Sequence, residues 1–216
     1  RGGGADENLY LLDGNPVYHV NHLLGFFSAF NPDAIKNTRF YKGSFPAEYG
    51  GRLSSVVDVR MNDGNRQEYH GNISVGLLSA RANLEGPIVK DRSSFNVSVR
   101  RTWLDLITGT ALAIINKNSD TKESFGYHFF DINAKVNHSF SERSRAYLSF
   151  YMGQDAFRQG SKEKHEDSDD MFLWRWGNLI GSAGWNYVFG QKLFGNLMVG
   201  YSRFRSHIRQ EAKGYE

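Results

Sequence analysis

His19-Val20-Asn21-His22 sets two imidazoles three residues apart, a spacing that on a helix lets both rings reach one metal ion. Spacing supplies no third ligand, and a polar loop accounts for the motif equally well, so no metal site is assigned. The run EKHEDSDD, Glu163 to Asp170, offers several carboxylates to a calcium ion. It lacks the glycine and the closing glutamate of a calcium loop, and a solvated loop explains it. Nucleophilic and phosphate chemistry find no foothold. There is no Ser/His/Asp order and no pair of carboxylates on one small element, and the glycines of RGGGADEN precede a strand instead of opening a helix. Other charged residues recur singly: Arg81, Glu85, Arg100, Asp131, Lys135 and Asp155 downstream, with Arg39, Arg52 and Arg60 in the first sixty positions. Their chemistry is pairing across a polar surface, worth about 1 kcal/mol or less per exposed pair. No catalytic site and no cofactor are expected.

The elements that carry those downstream charges are strands. Apolar and polar residues alternate from Tyr69 to the end, and the period of two gives each strand one greasy and one polar face. Seven strands are expected: Tyr69 to Leu77, Ala80 to Gly86, Ser94 to Trp103, Phe130 to Phe140, Ala146 to Gln154, Leu179 to Phe189 and Leu193 to Phe204. The fourth is the clearest. It sets Phe130, Ile132, Ala134, Val136 and Phe140 against Asp131, Asn133, Lys135, Asn137 and Ser139. Connections alternate in length. Val89 to Ser93, Ser141 to Ser144 and Gly190 to Lys192 are short, whereas Thr102 to Tyr127 and Ala156 to Trp176 are long and polar; Leu78-Ser79 breaks the rule. Outer-membrane barrels have short periplasmic turns and long outer loops, and gather aromatics near strand ends, as Trp103, Phe140, Trp185, Tyr187 and Phe189 do here.

Composition leaves this open. With 40% hydrophobic and 14% aromatic residues, the 216-residue chain can build a core. Mean hydropathy is −0.52, and the longest nearly apolar stretch, Leu104 to Ile115, is too short for a spanning helix, whether it lies on a membrane surface or over a barrel mouth. Barrel strands escape that test because only every second residue is apolar. Net charge is +3, from 26 Lys and Arg against 23 Asp and Glu, with the basic residues scattered, so no nucleic-acid partner is expected. Cysteine is absent and leaves the compartment undecided. The first residue is arginine and no leader follows it, so a secretory signal is expected upstream.

Arg1 to about Asn62 reads differently: short apolar runs punctuated by Asp13-Gly14, Asn31-Pro32, Lys42-Gly43 and Gly50-Gly51. A strand over Leu9, Leu11 and Leu12, a helical turn over Asp33 to Thr38 and a last strand over Ser54 to Met61 are expected. Leu12-Asp13-Gly14-x-Pro16-Val17, then Tyr41-Lys42-Gly43 and Tyr49-Gly50-Gly51-Arg52, resemble in order and spacing the end of the plug domain of TonB-dependent outer-membrane receptors. Phe45-Pro46-Ala47 and Arg52-Leu53-Ser54-Ser55 resemble the Bacteroidetes variant of that family.

The resemblance implies a β protein with a small α+β plug. Residues 1–64 would end the plug and 65–216 would begin an antiparallel transmembrane barrel, with the plug on its concave side. Seven strands cannot close such a barrel, and an open edge in hydrocarbon costs several kcal/mol per unpaired group, so most of an expected set of about 22 strands should follow Glu216. The implied function is TonB-dependent import of a siderophore, vitamin, glycan or peptide across the bacterial outer membrane. Implied partners are TonB, through a plug segment outside this chain, together with outer-membrane lipid and the nutrient. Resemblance also makes His19, Asn21 and His22 candidates for ligand contact and Arg52–Glu85 a candidate plug–barrel ion pair. A passive channel or adhesin barrel would share the strands without needing residues 1 to 62. A soluble sugar-binding β-sandwich would bury the greasy faces against each other.

Overall fold

The computed structural model describes residues 4–163 and 169–213. It is mostly β-strand with one short α-helix.

In the first sixty residues β1 (Asn8–Leu12) reverses into β2 (Asn15–Pro16). Asp13 and Gly14 take φ of 46° and 82°, and a two-residue hairpin of this hand requires both to be left-handed. A second small ladder, β3 (Asn21–His22) with β4 (Phe27–Ser28), brackets a 3-10 turn at Leu23–Gly25. The expected helical turn is one 3-10 turn, Pro32–Ala34, and the chain then extends as β5 (Ile35–Lys42). The Asn31 side chain accepts from the Asp33 amide and caps the turn, after which the β5 backbone is taken up by pairing with β6 (Ser55–Met61). Local signals start a helix here; the neighbouring strand ends it. The sheet order is β2-β1-β6-β5, with β6 parallel to β1. Placed centrally, β6 buries residues on both faces, Val56 and Asp58 on one and Val59 and Met61 among the rest.

The remainder is a seven-stranded antiparallel meander: β7 (His70–Val75), β8 (Ser79–Val89), β9 (Ser93–Thr102), β10 (Thr121–Ser141), β11 (Ser144–Glu163), β12 (Asp169–Val188) and β13 (Phe194–Lys213). Its burial is inverted. Asn133 is 1% exposed and Asn96, Ser98, Asp131 and Asn137 are as deeply buried, while Leu148 is 64% exposed and Val97, Val136, Phe150, Leu197 and Val199 also face outward. The buried polar face packs on residues 8–63. Phe95 and Ile132 are half-buried, and Phe150 is exposed.

Strand number and faces match the alternation; lengths do not. The stretch expected as the second long loop, Ala156 to Trp176, is largely strand, because β11 runs to Glu163 and β12 starts at Asp169, with 20 residues in each; the first, Thr102 to Tyr127, is mostly helical and ends in β10 from Thr121. A bilayer needs only about ten tilted residues per strand. In these extensions apolar and polar residues no longer alternate, as in Met171-Phe172-Leu173-Trp174 of β12 and Arg158-Gln159-Gly160-Ser161 of β11, so the period-two signal vanishes although the ladder continues. The middle of the EKHEDSDD run, 164–168, lies outside the described residues. At this extended end α1 (Leu104–Ile115) follows β9 and packs along β10; Leu106, Ile107, Ile114 and Ile115 stay exposed. Among the described residues no helix is long and apolar enough to cross a membrane, which says nothing of strands.

Candidate functional site

The chemistry-bearing residues meet where the small sheet lies on the polar face of the large one. Three groups of contacts make that interface.

At the junction of the two parts, Lys135 of β10 stands 3.2 Å from Asp13 Oδ2 and 3.1 Å from Asp63 Oδ1, and donates to the Met61 carbonyl at 3.1 Å. Asp13 also accepts from the Met61 amide at 3.1 Å, so the hairpin turn is tied to both sheets. Asp63 Oδ2 receives Lys36 at 2.7 Å and Arg145 of β11 at 2.9 Å. Burial pushes the Asp63 carboxyl upward, yet the Lys36 hydrogen bond and the charges of Lys135 and Arg145 hold it well below its usual 3.8. Its carbonyl accepts from Ser94 and Asn137. Gly64 follows with φ 80°, and a Cβ there would sit 2.1 Å from the Phe95 carbonyl oxygen, so only glycine permits this approach to β9.

The second group holds the β3–β4 hairpin by both strands. The His22 ring stacks on Phe129, centroids 4.1 Å apart, with Nδ1 2.7 Å from Asp155 Oδ2 and Nε2 3.8 Å from Asp131 Oδ2. Tyr127 donates its hydroxyl to Asp155 and accepts the Leu23 amide at 2.5 Å. Arg100 binds Asp131 through Nε at 2.7 Å and Nη2 at 2.6 Å, and Nη2 also donates to the Ser28 carbonyl at 2.7 Å. The third group is neutral. Asn178 donates to the His19 carbonyl at 2.7 Å, Ser202 to the Pro16 carbonyl at 2.5 Å and Asn31 to Ser98 at 2.6 Å, and Asn15 bonds Ser182. Tyr151 and Ile180 of the large sheet add apolar contact with Leu12, Val17 and Met61.

Of the residues singled out in the sequence, Arg81, Glu85, Arg100, Asp131, Lys135 and Asp155 all lie on the buried polar face. Glu85 takes Asn62 at 2.9 Å and Asn96 at 3.3 Å, while Arg52 is exposed and donates to the Gly51 carbonyl; the contacts do not join the two. Arg52 sits in the loop between β5 and β6, whereas one carboxylate oxygen of Glu85 accepts from both asparagine amides. His22 is buried, closed off by Phe129 and the carboxylates, whereas Asn21 is exposed. His19 packs near Trp176 and Phe204, and burial lowers its pKa from 6.5 against the opposing pull of Asp155. Tyr49 of the Tyr-Gly-Gly-Arg motif is pushed up to about 12 by burial and by Asp58. Sequence reasoning passed over Asp13 and Asp63, whose signal was position, acids in tight turns beside a strand face carrying bases, and over Arg145, a base near the start of β11. It also missed Phe26, 84% exposed at the tip of the β3–β4 hairpin.

Among the described residues no three His, Asp or Glu are grouped to hold a metal. The interface is directional and polar. Each bond contributes about 1 kcal/mol net, and its groups can return to water when the surfaces part. Two apolar clusters complete the joint, Tyr151 and Ile180 against Leu12, Val17 and Met61, and Tyr127, Phe129 and Trp176 against Leu23 and Phe27.

No protein-family model and no curated protein matches the sequence. Among solved structures, the chain is similar to the siderophore receptor PirA from Acinetobacter baumannii at 16% identity and TM-score 0.47, over 96% of this chain and 41% of that one. It is similar to a mutant of the ferric enterobactin receptor PfeA from Pseudomonas aeruginosa at 14% identity and TM-score 0.48, over 96% of this chain and 42% of that one. PirA from Pseudomonas aeruginosa gives 16% identity and TM-score 0.43, over 98% and 45% respectively. The chain thus spans less than half the length of each.

Proposed function

We propose that this chain is the end of a plug, residues 1–64, and the first strands, residues 65–216, of a TonB-dependent receptor that imports a scarce nutrient across the bacterial outer membrane. The observation that carries the reading is the inverted sheet: apolar residues outward, polar residues buried on a small domain of the same chain. A water-soluble sheet does the reverse, and the β-sandwich alternative would bury Val97, Leu148 and Phe150, which are exposed. A passive channel would have no use for a domain that closes the concave side through buried ion pairs. The strands are scaffold, and the small sheet is the part TonB would displace, acting on a plug segment outside this chain. Phe26, exposed at the turn of the β3–β4 hairpin, Asn21 on the rung farthest from that turn and half-buried His19 would be the candidates for cargo contact, with His22 anchoring the hairpin from beneath. The Bacteroidetes variant rests on Phe45-Pro46-Ala47 and Arg52 to Ser55 alone.

The test is growth and uptake with and without the complete gene, on defined iron, vitamin, glycan and peptide sources, with and without a protonophore. Gene- and energy-dependent uptake of one class supports the reading. Gene-dependent uptake that survives loss of the proton gradient points to a channel and overturns it.

A further inference from the structure

Toward the tips of the long strands the inward face of the large sheet changes from polar to ring-lined. Leu23 and Phe27 of the β3–β4 hairpin pack against Tyr127, Phe129 and Trp176, which end the joint with the small sheet. The next inward rungs set Phe157 beside Trp174 and then read Phe125–Gln159–Phe172–Gln210. These rings hold one another in place. Phe157 meets Phe125 edge-on at 5.5 Å and Phe172 at 6.0 Å, while the Trp174 indole lies 4.2 Å from that of Trp176 and donates to Ser206 at 2.9 Å. Phe125 is 42% exposed, and the side chains of Gln159 and Gln210 on its rung are exposed as well. Charge is segregated across the wall. No lysine or arginine stands on the inward rungs of β10 to β13 from Phe129 up to Glu123, whereas Arg158, Arg175, Arg205 and Arg209 lie on the reverse face of the same strands.

We propose that Phe125, Phe157, Phe172 and Trp174, with the amides of Gln159 and Gln210, form a subsite for the pyranose rings of a neutral oligosaccharide. The assignment rests on the import reading above and names its cargo class. A pyranose presents an apolar face of C–H groups, which packs on a π surface, and a rim of hydroxyls, which a glutamine amide can meet both as donor and as acceptor. Rings and amides alternate along the outermost of these rungs, so one sugar can use both at once. A purely hydrophobic cover would strand the two amides, whereas hydroxyls satisfy them. An anionic iron chelate calls for paired cationic donors, and this wall turns its arginines to the other side.

The test uses the complete protein in detergent, with binding read by titration calorimetry and by quenching of tryptophan fluorescence. The probes are linear hexasaccharides of glucose, mannose, galactose and xylose, with hexagalacturonate and a ferric tris-catecholate as anionic counterparts. At least one neutral hexasaccharide should bind, and W174A should weaken it about tenfold, with W174F recovering part of the loss. Q159A should weaken it less, and R175Q, on the reverse face, should leave it unchanged. Should W174A not fold, F125L and Q159A, both at exposed positions, must each weaken binding. Binding of no neutral hexasaccharide, equal binding by W174A, F125L and Q159A, or tighter binding of either anionic probe than of every neutral one overturns the proposal. Energy-dependent uptake of another nutrient with no oligosaccharide bound would sink the subsite and leave the import reading standing. Oligosaccharide binding with uptake that survives a protonophore would do the reverse, so the two failures are distinguishable.

Discussion

Lys135 is nearly fully buried and holds Asp13 and Asp63 together. Removing one partner of a buried pair strands the other, so K135M should destabilise the docked state by about 3–5 kcal/mol, read from urea-induced release of the small domain. D13N should recover part of that loss in the double variant, since the stranded charge goes too; a purely additive pair would show that the contact contributes nothing. Asp63 makes the pH prediction. Its carboxyl is lowered in the folded state, so its stabilisation is fully present above the ordinary value of 3.8 and drains as pH falls below that toward the folded value. Wild type should therefore exceed D63N in stability at pH 7, and the gap should narrow only below about pH 4. A gap that closes between pH 7 and 5 would assign the effect to another group.

At the scale of the strand, the period of two turns adjacent residues into opposite experiments. Phe150 points outward and Ser149 inward on β11, with Ser149 buried. Arginine at position 150 should cost about 2–4 kcal/mol of insertion if the residue sits near mid-bilayer, less toward either interface. Measured by folding into lipid vesicles, F150R should fail where F150L does not, and equal yields would mean that the outward face does not meet lipid. The 3-10 turn at Pro32–Ala34 shows the limit of local signals: Asn31 and Pro32 begin a helix in sequence, and pairing with β6 overrides them within three residues.

For the molecule as a whole, the polar joint predicts motion. Ala29 is completely buried among Leu12, Val17 and Met61, and the chain has no cysteine of its own. A29C in the complete protein should react slowly with a thiol reagent in de-energised membranes and faster in respiring cells given cargo. Equal rates in both would show that the small domain stays docked.

The sequence by itself determined the faces. Alternation needs only neighbouring residues, so strand count, the polar set Arg81, Glu85, Arg100, Asp131, Lys135 and Asp155, and the turn at Asp13-Gly14 were all legible. Where the apolar band ends, alternation loses its contrast, and the extra length of β10 to β13 was hidden with it. Only the tertiary structure decided the partners. Lys135 meets Asp13 across 122 positions and His22 meets Asp155 across 133, and no local rule links residues so far apart. Those pairs depend on sheet register and on the seating of the small domain, quantities set by the sum of all contacts at once.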